Sequence, residues 1–151
     1  MIIDPQAVPD RTGTNYPASF KTRVAGRSKK RVGNAAGLKN FGVNWVTLAP
    51  GASSALRHWH EKQDEFVYII QGELILITND GEHILKSGMM AGFPASEVNG
   101  HHLVNRSTAL AIYLEIGDRT PNDLVHYPDD DISAHDTPTG WTFTHKDGSP
   151  Y

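Results

Sequence analysis

Residues 51–72 read GASSALRHWHEKQDEFVYIIQG, and the rest of the chain is best read outward from them. His58 and His60 flank Trp59, and Glu65 follows the second histidine after four residues. Successive side chains of an extended strand alternate faces, so His58 and His60 share one face and Trp59 takes the other. Glu65 has the wrong parity to join the histidines on one continuous strand. The polar run EKQD between them reads as a loop, after which EFVYII opens a new strand with the carboxylate at its first position. Two imidazoles and one carboxylate can then meet on the inner side of a sheet, a donor set suited to Zn, Fe, Mn, Ni or Cu.

The flanking sequence is a series of short strands. FGVNWVTLAP (41–50) places Phe41, Val43 and Trp45 on one face and Asn44, Val46 and Leu48 on the other, until Pro50-Gly51 breaks it. EFVYII is followed by the turn Gln71-Gly72, then ELILIT, and NDG at 79–81 reads as a hairpin turn. EHILK, the turn Ser87-Gly88, MMAGFP, a loop, HHLVNR and ALAIYLEI complete the series. The last alternates, with Leu110, Ile112, Leu114 and Ile116 on one face and Tyr113 and Glu115 opposite. Short strands every 8–12 residues or so, with turn signals between and no helical periodicity, predict an all-β sandwich or barrel. Val43, Val67, Ile69, Leu74, Leu76, Leu110, Ile112 and Leu114 are its expected core.

The same residues carry a resemblance. Gly51, His58-x-His60, Glu65 and Gly72 resemble the first motif of the cupin superfamily, and GMMAGFPASEVNGHHLVN (88–105) resembles the second. In the latter, Gly88 precedes Pro94 by five intervening residues and His101 precedes Asn105 by three. Ser96 stands where the usual motif has glycine, and the loop EVNG brings His101 two residues later than usual. The resemblance, closest to small bacterial single-domain cupins, implies a jelly-roll β-barrel of two packed antiparallel sheets. It implies one divalent transition metal (Fe, Mn, Ni or Zn) on His58, His60, Glu65 and His101, and a homodimer with the amino-terminal arm at its interface. His101 rather than His102 matches the motif, and alternation sends the two to opposite faces. Asn105 is expected to hydrogen-bond nearby. His83, His126, His135 and His145 are read as structural or solvent-facing.

At 151 residues, with 38% hydrophobic and 21% charged, the chain reads as one globular domain. Residues 1–40 form an extended arm with edge strands, 41–117 the barrel core with both motifs, and 118–151 a polar tail packing on the barrel, where WTFT could add an edge strand. Lys21, Arg23, Arg27, Lys29, Lys30, Arg31 and Lys39, with Arg11 upstream, make a basic cluster that reads as a solvated hairpin or edge strand. A net charge of -3 gives no case for nucleic acid or an anionic membrane as partner. There are no cysteines, which removes disulfides and thiolate ligands. MIIDPQAVPD has the character of neither a signal peptide nor a membrane span, so a cytoplasmic location is expected.

Four donors leave positions open on an octahedral ion, where a small oxygenated molecule can bind. Two readings follow. One is a metal-dependent enzyme, dioxygenase-, decarboxylase-, lyase- or isomerase-like; the other is a non-catalytic small-molecule binding or sensor module. No general acid or base stands out, since Arg57, Gln63, Asp64 and Glu97 read as loop or outer-face residues.

Overall fold

The runs Phe41–Leu48 and Ala111–Asp118 pair antiparallel along their whole length and form the middle of the largest sheet. In this computed structural model, which describes residues 1–151, the strands in chain order are β1 Arg11–Thr12, β2 Arg27–Lys30, β3 Phe41–Leu48, β4 Trp59–His60, β5 Glu65–Gln71, β6 Glu73–Thr78 and β7 Gly81–Lys86. They continue with β8 Met90–Phe93, β9 His102–Val104, β10 Ala111–Asp118, β11 Leu124–His126, β12 Ser133–Thr137 and β13 Gly140–Thr144. One short helix, α1 Val32–Ala35, lies between β2 and β3. No helix is long and apolar enough to cross a membrane.

One sheet has six strands in the order β1-β2-β3-β10-β5-β8. The opposing layer comes in two pieces, β13-β12-β11-β4 and β7-β6-β9. Isolated bridges join the pieces, Ser53 to Val104 and His58 to His101. This is a jelly-roll barrel, the expected architecture.

Inside, Val46, Leu48, Val67, Ile69, Leu74, Leu76, Leu103, Ala111 and Tyr113 form one buried apolar cluster. Four of the expected core residues lie elsewhere. Val43, Ile112 and Leu114 are only partly buried and Leu110 is exposed. Both faces of β3 and β10 are apolar, so alternation alone does not say which turns inward. The pairing of Ala111 with Leu48 and of Tyr113 with Val46 and Ile69 settles it. The backbone also runs close here: a Cβ on Gly72, at φ +81, would lie 3.1 Å from the Leu110 carbonyl and 3.3 Å from the Ala111 Cβ.

A second buried cluster joins the two ends of the chain: Tyr16, Val24, Leu56, Val125, Tyr127, Ile132 and Ala134. Tyr16 packs edge-on against Tyr127 at 5.9 Å and tilted against Phe143 at 5.5 Å. Phe20 meets Tyr151 at 5.7 Å. Tyr16, Phe20 and Val24 of the arm are thus covered within the chain, and their burial gives no argument for a second subunit. The polar tail, for its part, supplies three strands of the barrel wall, β11, β12 and β13.

Candidate metal centre

The bridge between the two pieces of the second layer sets the site. His58 N–H donates to the His101 carbonyl at 3.1 Å, and His101 N–H donates back to His58 at 2.8 Å. The two imidazoles therefore leave directly opposed backbone positions on the inner face. His60, two residues further along, shares that face, while Trp59 turns outward and stacks on His126 at 4.2 Å. Glu65 opens β5 on the opposite sheet, paired with Gly117.

These elements converge on one carboxylate oxygen. Glu65 Oε2 lies 2.9 Å from His101 Nε2, 3.4 Å from His58 Nε2 and 3.5 Å from His60 Nε2. Donor atoms of His58, His60 and Glu65 all fall within 4.8 Å of one another. The far nitrogens are engaged elsewhere. His58 Nδ1 is 2.7 Å from the Leu56 carbonyl, His60 Nδ1 2.5 Å from Asp123 Oδ2, and His101 Nδ1 3.4 Å from the Asn99 carbonyl. These Nδ1 acceptors would let each Nε2 present a lone pair to a cation, as in metal-bound histidines; without one, His101 Nε2–H donates to Glu65 at 2.9 Å. The donor set fits a divalent ion on chemistry as well as placement.

Electrostatics agree. Burial pushes the Glu65 carboxyl up, but hydrogen bonds from His101 and His58 and the nearby His60 outweigh it, holding the group well below its ordinary range. Burial pushes the His101 imidazole down, favouring its neutral form. At His60 burial acts in the same direction, yet the Asp123 hydrogen bond and the Glu65 charge win, and its pKa rises.

Neighbours hold the ligands in place. Phe93 stacks flat on His101 at 3.6 Å. Gly100 lies so close to Pro128 that a Cβ there would meet the proline ring at 2.8 Å. Arg57 grips Asp129 with two 2.7 Å bonds and also reaches the Gly100 carbonyl at 3.2 Å. Ser96 adopts φ 65, the left-handed backbone that glycine takes easily. Its N–H donates to the His60 carbonyl at 2.8 Å and its hydroxyl to Glu61 at 2.7 Å. His102 faces away and bonds the Ala55 carbonyl at 3.0 Å. Asn105 is fully buried, donating to Leu48 and Ala109.

Several residues at the centre do not stand out in the sequence. Asp123 is buried behind His60, its other oxygen accepting the Lys62 N–H at 2.7 Å. Glu115 reaches the inner wall from β10, where Lys29 Nζ lies 2.6 and 2.9 Å from its two oxygens and Asn44 donates to it at 3.0 Å. Burial pushes the Glu115 carboxyl up, but the Lys29 charge prevails and lowers it. The basic segment is therefore not a merely solvated hairpin, since Arg27 bonds the Ser54 carbonyl and Lys29 projects into the barrel. Parity on ALAIYLEI places Glu115 opposite Leu114, but only the sheet register shows that its face is the inner one.

His58, His60, Glu65, Lys29 and Glu115 line a cavity of ≈ 820 Å³ at the barrel mouth. A smaller one of ≈ 300 Å³ touches His60 and His101 from the other side, walled by Trp59, Phe93 and Glu97.

The Cupin domain model matches residues 44–117. A sugar phosphate isomerase of the cupin superfamily from Silicibacter pomeroyi is 44% identical, with TM-score 0.97 over 100% of this chain and 96% of that one. A protein of Acidithiobacillus ferrooxidans, proposed to be a sugar phosphate isomerase, is 25% identical, with TM-score 0.78 over 87% and 83% of the two chains. The polyketide cyclase RemF of Streptomyces resistomycificus, 16% identical with TM-score 0.65 over 78% of each chain, shares the fold. No curated protein sequence matches this chain. The chain belongs to the cupin superfamily.

Proposed function

We propose that this protein is a metal-dependent isomerase of a small phosphorylated sugar, with His58, His60, Glu65 and His101 holding one divalent ion at the floor of the mouth cavity. The observation that carries the reading is the convergence of three Nε2 atoms on one Glu65 oxygen while the far nitrogens are engaged elsewhere. Three imidazoles and a carboxylate suit Fe, Mn, Ni or Zn. Such an ion, when bound, supplies polarisation of a substrate oxygen.

The sugar phosphate is supported by the names of the two relatives most similar in sequence among those described and by the cavity. At ≈ 820 Å³ it is of the size that takes a small organic ligand. Glu115, kept ionised by Lys29 and Asn44, accepts hydrogen bonds from sugar hydroxyls and so orients the chain of carbons above the centre. Tyr127 and Trp141 wall the same cavity.

The test is loading the protein separately with Fe, Mn, Ni and Zn and incubating it with aldose and ketose 5- and 6-phosphates under phosphorus and proton NMR. At least one aldose–ketose pair should equilibrate with a loaded form and not with the metal-free protein. No interconversion with any loaded form would overturn the isomerase reading.

A further inference from the structure

The wall of the mouth cavity is more basic than the chain that builds it. Its lining carries Arg11, Arg27, Lys29, Arg31 and Arg119 against Glu65, Glu115 and Asp118, whereas the whole chain has net charge -3. Three of these cations are spoken for. Lys29 pairs with Glu115, Arg27 bonds the Ser54 carbonyl, and Arg119 bonds the Leu38 carbonyl at 3.0 Å and Asn34 Oδ1 at 2.5 Å. Arg11 and Arg31 make no side-chain hydrogen bond or ion pair within the chain, although acidic residues outnumber basic ones. Asp118, the acid on that wall outside the centre, is occupied by the N–H groups of Asp64 at 2.9 Å and Thr120 at 2.7 Å.

A second observation falls on the same wall. Thr12, Gly13, Thr14 and Asn15 line it beside Arg11. The backbone N–H groups of Gly13, Thr14 and Asn15 have no acceptor in the chain, and Gly13 turns the backbone at φ +86. Successive free N–H groups beside guanidinium forks are what a tetrahedral oxyanion needs, because each oxygen accepts several donors and Arg binds phosphate in pairs of bonds. A concave wall with excess positive charge also concentrates anions at its mouth.

We propose that the amino-terminal arm builds an anion subsite at the cavity rim, in which Arg11, Arg31 and the 13–15 backbone hold the phosphate of the substrate while its other end lies over the histidines. The arm then selects phosphorylated over free sugars. This deepens the isomerase reading and rests on it for the sugar; the phosphate contact stands on the rim alone.

Isothermal titration calorimetry tests it with ribose 5-phosphate, fructose 6-phosphate, ribose and inorganic phosphate on metal-loaded protein. A sugar phosphate should bind at least tenfold more tightly than ribose and than inorganic phosphate. An Arg11→Ala/Arg31→Ala variant should lose at least tenfold in affinity for it, with metal content and melting unchanged because both side chains are exposed. The corresponding Arg→Lys pair should recover part of the loss, since it restores charge without the planar fork. A His58→Ala/His60→Ala variant separates the two ideas, because it should lose metal yet keep arginine-dependent binding of inorganic phosphate. Unchanged sugar-phosphate affinity in the Arg→Ala variant, or ribose binding as tightly as ribose 5-phosphate, would overturn the subsite. Inorganic phosphate binding as tightly as the sugar phosphates would overturn its role in recognising sugars.

Discussion

The two halves of the barrel differ along the same strands. On β3 the inward positions run Leu48, Val46, Asn44; on β10, Ala111, Tyr113, Glu115; on β5, Ile69, Val67, Glu65. Register aligns them in layers: Ala111 with Leu48, Tyr113 with Val46 and Ile69, Glu115 with Asn44 and Val67. The first layers are closed and apolar, the last open and charged. One end of each strand buries hydrocarbon, and the other gives its inward positions to the polar groups of the site. Stability and chemistry are thereby separated within single strands, and substitutions in one half should leave the other largely intact.

The sharpest break of that separation is at the ligands. His58→Ala/His60→Ala should reduce metal content, by elemental analysis, from near one ion per chain to background, while circular dichroism still reports a folded β-protein. For the same reason, removing the ion from the wild type should leave a cooperative melt. The loss should follow mass action, about 2.7 kcal/mol if free metal stood at a hundred times its dissociation constant. Collapse of the sheet signal on chelation would show that the ion, not the apolar half, holds the barrel. The converse change is Ile69→Ala in the closed half. Ile69 is fully buried, so the substitution should cost about 2–5 kcal/mol by denaturant titration. Metal stoichiometry of the folded fraction should not change. Asp123→Asn is a smaller perturbation of the open half: weakening the bond that orients His60 should lower metal affinity about 10–100-fold.

Acid separates the halves in another way. In metal-free protein the Glu65 carboxyl sits well below its ordinary 4.5. The unfolded chain therefore binds its proton first, so the contribution of Glu65 is present above about 4.5 and is lost as pH falls toward its folded value. Wild type should lose stability faster than Glu65→Gln on acidification below pH 4.5; equal slopes would mean the carboxylate is not held ionised by the histidines.

The donor-bearing stretches were legible because their signals are local. Parity placed His58 and His60 together and Trp59 outside, the EKQD loop restarted the phase at Glu65, and the second motif pointed to His101; the structure brings these four side chains together. What escaped depends on partners distant in the chain. Asp123 and Glu115 are ordinary acids in sequence, and only register places one behind His60 and the other on the inner wall. Lys29 and Arg27 looked like an exposed basic run because Glu115 and Ser54, which receive them, lie 86 and 27 residues away. WTFT, readable as an edge strand, forms most of β13, whereas β11 and β12 span only three and five residues, too short for alternation to show beside the acidic run 129–131 that joins them.

Ser96, where the second motif departs from glycine, gives the smallest expected effect and a test of how the loop seats His60. A left-handed backbone costs a non-glycine residue about 1–2 kcal/mol. Here the side chain returns part of that, since its hydroxyl bonds the Glu61 carbonyl at 2.7 Å, a contact of about 0.5–1.5 kcal/mol. Ser96→Gly relieves the strain but forfeits the bond and adds freedom to the unfolded chain, about 0.5–1 kcal/mol relative to alanine. These terms nearly cancel, so its stability should stay within about 1 kcal/mol of wild type. Ser96→Ala keeps the strain and loses the bond, and should be destabilised by about 0.5–1.5 kcal/mol with a modest fall in metal affinity. The ordering decides the matter: if alanine proves more stable than glycine at this position, the turn is not left-handed in solution, and the serine is not the device that fixes the loop against the His60 strand.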